Sequence, residues 1–245
     1  MLAIFGGCGM LLGLLIWQSR QAALPDFSSI PAGEARKAAF FEYLGPIIDR
    51  ENAVRRDRRQ RLQALRGRVW SKRERLWVEE LADKYDVDLN PTDQAAAQQD
   101  LTDEVLIDRL LIHVDTIPYS LALAQAAKES AWGTSRFAVE GFNLFGQRCY
   151  TKGCGMVPAA RRRGAKFEVR RFDSVEASVA SYMNNINGHP EYQSLRSYRA
   201  AQRQRGKPVS GIEAAERIDQ YSERREAYID EVQALIHFNN LEDSQ

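Results

Sequence analysis

The chain is poor in the residue types that announce a metal centre, a disulfide framework or a polyanion partner. Its 245 residues include 3 Cys and 3 His. A structural zinc takes about four such ligands, and His113, His189 and His237 are scattered singly, so no metal is expected. Three Cys exclude a disulfide-dense mini-scaffold, and 16 Gly with 8 Pro exclude a collagen-like chain. There is no excess charge of either sign, since 34 Lys+Arg meet 33 Asp+Glu. Specific nucleic-acid binders need surplus basic groups for phosphate, so nucleic acid is not an expected partner. Long apolar runs are scarce too. The one present, Leu2 to Trp17, is uncharged and followed by Arg20. It is shorter than the ~20 residues of an upright membrane span but suits the hydrophobic region of a signal peptide. Gly6, Gly7, Gly9 and Gly13 weaken the alternative of a soluble helix. Residues 1–23 are therefore expected to direct export, as a cleaved signal or a short membrane anchor.

What the chain does have is 44% hydrophobic residues and a length sufficient for a real core. Leu24 to Ala32, with Pro25 and Pro31, reads as a tether. Glu34 to Asp86 reads as helical, with Phe40, Phe41, Leu44, Ile47, Ile48 and Val54 near helical spacing and a kink expected at Gly45-Pro46. Ser71-Lys72-Arg73-Glu74 has the form of a capping box. Between Arg50 and Arg75 lie eleven basic side chains, either a solvated helix face or a surface for anionic polymer. Asn90 to Gln99 is a polar connection, and Leu101 to Val114 is again amphipathic. Ser120 opens an Ala-rich helix expected to stop at Gly133. Cys149 to Phe172 reads as a hairpin-like lobe with one or two short strands, Phe167 and Val169 alternating against Glu168 and Arg170. Asp173 is read as the N-cap of the next helix, Asn187-Gly188 as its end, and Ser210 with Glu213 as a later cap. The fold class is mainly α with a small β-lobe, with no internal repeat.

Two features carry chemistry. Glu129 falls in the last turn of its helix, where the negative end of the dipole disfavours its ionised form. Desolvation by a neighbour such as Trp132 would push its pKa in the same direction, towards that of a glycosidic general acid. Cys149 and Cys154 are close enough to close a small loop in an oxidising compartment, or else remain two free thiols.

Ala124 to Ser135, containing Glu129-Ser130-Ala131-Trp132-Gly133, is followed by Asn143-Leu144-Phe145-Gly146. The pair resembles the signature of the glucosaminidase domain of bacterial wall hydrolases, glycoside hydrolase family 73. Phe172-Asp173-Ser174, Tyr182, His189-Pro190-Glu191-Tyr192, Tyr221 and Tyr228 extend the resemblance over roughly residues 105–240. Over its fuller length, including Leu24-Pro25-Asp26-Phe27, the chain is similar to the Bax family of exported bacterial proteins.

The resemblance implies a lysozyme-like (α+β) fold, with a charged helical extension over 24–104 and a catalytic domain over 105–245. It also implies hydrolysis of β-1,4 bonds at N-acetylglucosamine in peptidoglycan, without metal or organic cofactor. The protein would sit in the periplasm, soluble or tethered to the inner membrane, with peptidoglycan glycan strands as its partner. Glu129 takes the role of catalytic acid, Tyr221 or alternatively Tyr228 that of the active-site tyrosine, and Glu168 that of second carboxylate. Trp132, Asn143, Phe145 and Tyr228 are candidate substrate contacts. Trp132 and Phe145 equally suit core packing, and Asn143 equally suits bonding of its own turn. Two other activities fit the same residues, namely a wall-binding protein whose catalysis has lapsed and a lytic transglycosylase.

Overall fold

A computed structural model describes residues 24–88, 102–159, 161 and 164–242. The apolar segment Leu2–Trp17 and the polar connection Asn90–Gln99 lie outside the described residues. Among the described residues, no helix is long and apolar enough to cross a membrane.

The chain opens with a 3-10 turn, Phe27–Ser29, and helix α1, Glu34–Gln63. Helices α2 (Lys72–Lys84), α3 (Asp103–His113), α4 (Tyr119–Glu129) and α5 (Arg136–Gly141) follow. A three-stranded sheet comes next, and then α6 (Val175–Gly188), α7 (Gln193–Gln204), α8 (Gly211–Ala215) and α9 (Glu226–Phe238). The architecture is mainly α with a small antiparallel β-lobe and an N-terminal helix, the lysozyme-like arrangement expected.

The N-terminal region is not an appendage. Phe27, Phe40, Leu44, Ile47 and Ile48 belong to the same buried cluster as Leu121 and Leu123 of α4, Val179 and Tyr182 of α6 and Val232 of α9. The expected tether thus delivers a buried aromatic, Phe27. Pro46 lies inside α1 without ending it. Gly45 lets Tyr119 at the start of α4 close on the helix, because a Cβ there would stand 2.2 Å from the Tyr119 hydroxyl. A second cluster joins Leu62 and Leu65 to Val78, Leu81 and Tyr85, and to Ile107 and Leu110. The core therefore runs across the boundary expected at residues 104/105.

The basic run from Arg50 to Arg75 is mostly exposed, with Arg55 buried, and several of its arginines are paired. Arg55 is 1% exposed and donates to Glu51 Oε2 (2.8 Å), Ala180 O (3.1 Å) and Asn184 Oδ1 (2.9 Å). Arg66 pairs with Glu104 and Asp108, Arg68 with Glu74 and Arg75 with Asp103. Arg61 lies 3.8 Å over the Trp77 ring. The solvated face describes most of this stretch, while Arg55 turns inward and Arg66 and Arg75 pair with carboxylates of α3.

Local capping follows the sequence with one shift. Ser71 Oγ accepts from Glu74 N–H (3.3 Å) while the Glu74 carboxylate accepts from Ser71 N–H (2.8 Å), a closed capping box. Ser210 caps α8 by accepting from Glu213 N–H. At α6, Ser174 is the cap in place of Asp173, accepting from Ala177 N–H at 3.1 Å. Helix α4 ends at Glu129, four residues before the expected Gly133.

The β-lobe has three strands where one or two were expected: β1 (Arg148–Cys149), β2 (Gly155–Met156) and β3 (Glu168–Arg170). Their order is β1-β3-β2, antiparallel, with Arg148 opposite Val169 and Gly155 opposite Arg170. A Cβ at Gly155 would stand 2.0 Å from the Val169 carbonyl oxygen, so only glycine fits that pairing. Cys149 and Cys154 form a disulfide across the β1–β2 loop.

Candidate active site

Glu129 is the last residue of α4, whose preceding stretch Ser120–Ala127 is buried throughout. The chain then does something unusual. Ala131, Trp132 and Gly133 adopt φ of 51°, 61° and 77°. For an ordinary L-residue the left-handed region costs roughly 1–2 kcal/mol. Local hydrogen bonds hold the turn, with Trp132 N–H donating to Ala127 O (2.8 Å) and Gly133 N–H to Ser130 Oγ (2.8 Å). Packing from the N-terminal region holds it as well. Trp132 meets Phe40 and Phe41 edge-on, at 5.9 and 5.4 Å between ring centroids. Phe27 lies so near Gly133 that a Cβ there would stand 2.4 Å from its ring. Strain of this kind clusters at functional sites.

The second signature segment forms the neighbouring turn. The buried Asn143 amide donates to Gln147 O and Arg170 O, both at 2.9 Å, and its Oδ1 accepts from Phe145 N–H (3.3 Å) and Gln147 N–H (3.0 Å). This turn brings Gly146, at φ 66°, against the acid, where a Cβ would stand 3.1 Å from Glu129 Oε2. The backbone angle favours glycine there, and a Cβ would press on the carboxylate.

Glu129 is half-buried, and burial raises its carboxyl above the usual range, opposed by a hydrogen bond with Tyr228 and by the charge of Lys128. Lys128 is itself paired with Glu231. Behind Tyr228 runs a polar chain through the core. Gln125 Nε2 donates to Tyr228 Oη (3.1 Å), and Tyr182 O–H donates to Gln125 Oε1 (2.6 Å). Tyr182 stacks on Phe145 with centroids 3.9 Å apart, and Tyr221 stacks on Tyr228 at 5.5 Å. Tyr221 O–H donates to Phe145 O at 2.8 Å. Burial pushes the hydroxyls of Tyr221, Tyr228 and Tyr182 far upward, so all three remain protonated donors.

These groups border a cavity of about 900 Å³. Glu129, Phe145, Gly146 and Tyr221 line it. The β-lobe adds Arg148, Tyr150, Arg161 and Phe167, and the helical lobe adds Asn185, His189, Glu191, Tyr192 and Glu223. Among the sequence candidates, Glu129 and Tyr221 therefore face one space, with Tyr228 bonded to Glu129 from behind, while Phe145 borders it with its ring packed in the core. Trp132 instead packs on α1, and Asn143 is consumed by its turn.

Glu168 is also placed differently. It is 7% exposed and is not among the cavity-lining residues. Its oxygens accept from Gly153 N–H (3.0 and 3.1 Å) and Gly155 N–H (2.9 Å), and these bonds hold its carboxyl below the usual range. It braces the disulfide loop. Among the described residues, one group has metal-ligand proximity, Cys149, Cys154 and Glu168, and its sulfurs are already bonded to each other. Sequence reasoning missed Glu191 and Glu223 as cavity carboxylates and Gln125 as the link between tyrosines. The His189–Tyr192 match held a signal for Glu191. Nothing in sequence signalled Glu223.

The family model for glucosaminidase, described as mannosyl-glycoprotein endo-beta-N-acetylglucosaminidase, matches residues 109–241. The chain is 31% identical over 222 residues to Protein bax of Escherichia coli (strain K12), covering 90% of this chain and 76% of that protein. No solved structure matches. With the family model spanning more than half of its length, the chain belongs to the glucosaminidase family.

Proposed function

We propose that the protein hydrolyses β-1,4 glycosidic bonds at N-acetylglucosamine in peptidoglycan, with Glu129 as general acid. The observation that carries this reading is the Glu129 carboxyl, raised by burial and set at the edge of a glycan-sized cavity. The acid would protonate the leaving oxygen, and the Tyr228 hydrogen bond would steady the carboxylate that results. Tyr221 offers aromatic surface to a sugar, whereas the Phe145 ring is buried against Tyr182 and supports the turn from the core. Glu168 is reassigned from catalysis to bracing the lobe, since three N–H contacts already fix its ionised oxygens. The oxocarbenium-like charge then falls to the substrate's own N-acetyl group or to Glu191 and Glu223 on the helical wall. The disulfide supports export to an oxidising compartment, the periplasm, whether soluble or tethered to the inner membrane.

The test is product analysis on purified wall glycan. Wild-type protein is expected to release reducing N-acetylglucosamine ends, and Glu129→Gln to fold normally yet release them at least about 10²-fold more slowly. Release at the wild-type rate by that variant would sink the assignment. A lytic transglycosylase is the second reading, favoured because, among the described residues, no second carboxylate is hydrogen-bonded to Glu129. Anhydro-muramyl ends in the mass spectrum would establish it instead. Binding to insoluble wall without any release by wild type would establish the catalytically lapsed reading.

A further inference from the structure

The two walls of the cavity carry opposite charge. The helical lobe contributes Glu191 and Glu223, with His189 Nδ1 at 3.7 Å from a Glu191 oxygen. The β-lobe contributes Arg148 and Arg161. Both arginines are anchored on one residue, Phe167, which also lines the cavity. The Arg148 guanidinium lies 4.2 Å over its ring, and Arg161 Nη1 donates to its carbonyl oxygen at 3.1 Å. Arg161 feels the charge of Glu168, yet neither guanidinium closes an ion pair with a described carboxylate. That contrasts with Arg55, Arg66, Arg68 and Arg75, which all do. A ring face fixes a guanidinium while leaving its N–H donors available. Beside it, Tyr150 is 75% exposed, an aromatic surface open to a sugar ring.

We propose that Arg148 and Arg161 form a subsite for a carboxylate carried on the glycan, such as the lactyl group of a muramic acid residue from which the peptide has been removed. The subsite rests on the glycan reading of the cavity but not on Glu129 being the acid. Glu191 on the helical wall disfavours a carboxylate and the two arginines of the β-lobe accept it, so a substituted sugar enters in one orientation. An uncharged chain of N-acetylglucosamine gains nothing from the pair. The cavity therefore discriminates between glycans by the charge of their substituents as well as by sugar shape.

The probe is a soluble glycan fragment of alternating N-acetylglucosamine and N-acetylmuramic acid, used with its carboxylates free and methyl-esterified. Binding of each form is measured by calorimetry to wild type, Arg148→Gln and Arg161→Gln, all as the full chain, with circular dichroism to check folding. Wild type is expected to prefer the free acid by about tenfold or more, as charge-assisted hydrogen bonds allow, with the preference shrinking at high salt. Each variant is expected to lose most of that preference. Equal affinity of wild type for both forms overturns the proposal, as does a preference that survives in both variants. Because binding is the readout, a protein that keeps the preference but cleaves neither form refutes the hydrolase reading and leaves the subsite standing.

Discussion

The end of α4 and the β-lobe each present a glutamate at the edge of a regular element, and the two are treated in opposite ways. Glu129 is half-buried, with a tyrosine hydroxyl as its bonding partner, and burial favours the protonated form. Glu168 receives two backbone N–H groups in a turn closed by a disulfide, and those donors favour the ionised form. Burial alone therefore does not make an acid. The supply of N–H donors decides, and it is set by loop geometry that no single residue reveals. Burial pushes one carboxyl towards its protonated form, and the other is held ionised as an acceptor.

The sharpest break in this comparison comes from removing each carboxyl in turn. Glu129→Gln is expected to lower kcat by about 10²–10⁴-fold, the range of a general acid. Its effect on stability has a definite sign. A carboxyl whose folded pKa is raised adds stability that is fully present below its ordinary value of 4.5 and is lost as pH rises through the folded value. The variant should therefore gain Tm relative to wild type as pH increases from that point, measured by thermal melts at acidic and neutral pH. A constant Tm difference across the range would show that burial is not what sets this carboxyl apart.

The next effect tests how far that environment is maintained from a distance. Phe27 is 2% exposed and packs on Gly133, Phe40 and Tyr43. Phe27→Ala is expected to cost about 3–5 kcal/mol, seen in denaturant unfolding. Loosening the left-handed turn after Glu129 should also lower kcat by about tenfold or more, since small misplacements of catalytic groups are expensive. Wild-type kcat in a destabilised variant would mean the N-terminal region supports the fold but not the acid.

Much of the helical frame is legible in sequence because its signals are local. The capping box at Ser71 and Glu74 and the cap at Ser210 need only residues three apart. Glu129 is legible through its own segment and Asn143-Leu144-Phe145-Gly146. What is not legible depends on distant partners. Trp132 points at α1 because Phe40 and Phe41 lie there, and Arg59 and Arg55 of α1 find backbone carbonyls on α3 and α6. Asp173 and Ser174 are both competent caps, and helix register selects the second. The alternation over 167–170 sets Glu168 opposite to Val169, yet both are buried, because the disulfide loop folds over the face that carries Glu168.

Tyr228 links the acid to the core and provides a finer test. Its hydrogen bond lowers the Glu129 pKa against the rise caused by burial. Tyr228→Phe should therefore move the alkaline limb of the kcat/KM profile to higher pH, because the acid keeps its proton longer. It also leaves Gln125 Nε2 without its acceptor, at a cost of about 1–3 kcal/mol. A limb that stays in place would mean the hydroxyl contacts the carboxyl without stabilising its ionised form.

The smallest effect on activity is expected at Glu168. Glu168→Gln keeps an oxygen that can accept one N–H but loses the charge and the second acceptor, so the disulfide loop is held less firmly. Glycan release should stay within about tenfold of wild type, far from the loss expected for a general acid. The stability signature is opposite in sign to that of Glu129. A depressed folded pKa contributes stability present above the ordinary value of 4.5 and lost as pH falls through the folded value. The Tm deficit of the variant should therefore be full at neutral pH and shrink in acid. If the two glutamate variants showed the same pH trend, the donors around Glu168 would not be holding an ion. If Glu168→Gln instead abolished glycan release with an intact fold, the second carboxylate of the reaction would lie in the β-lobe after all, and Glu191 and Glu223 would lose their claim to it.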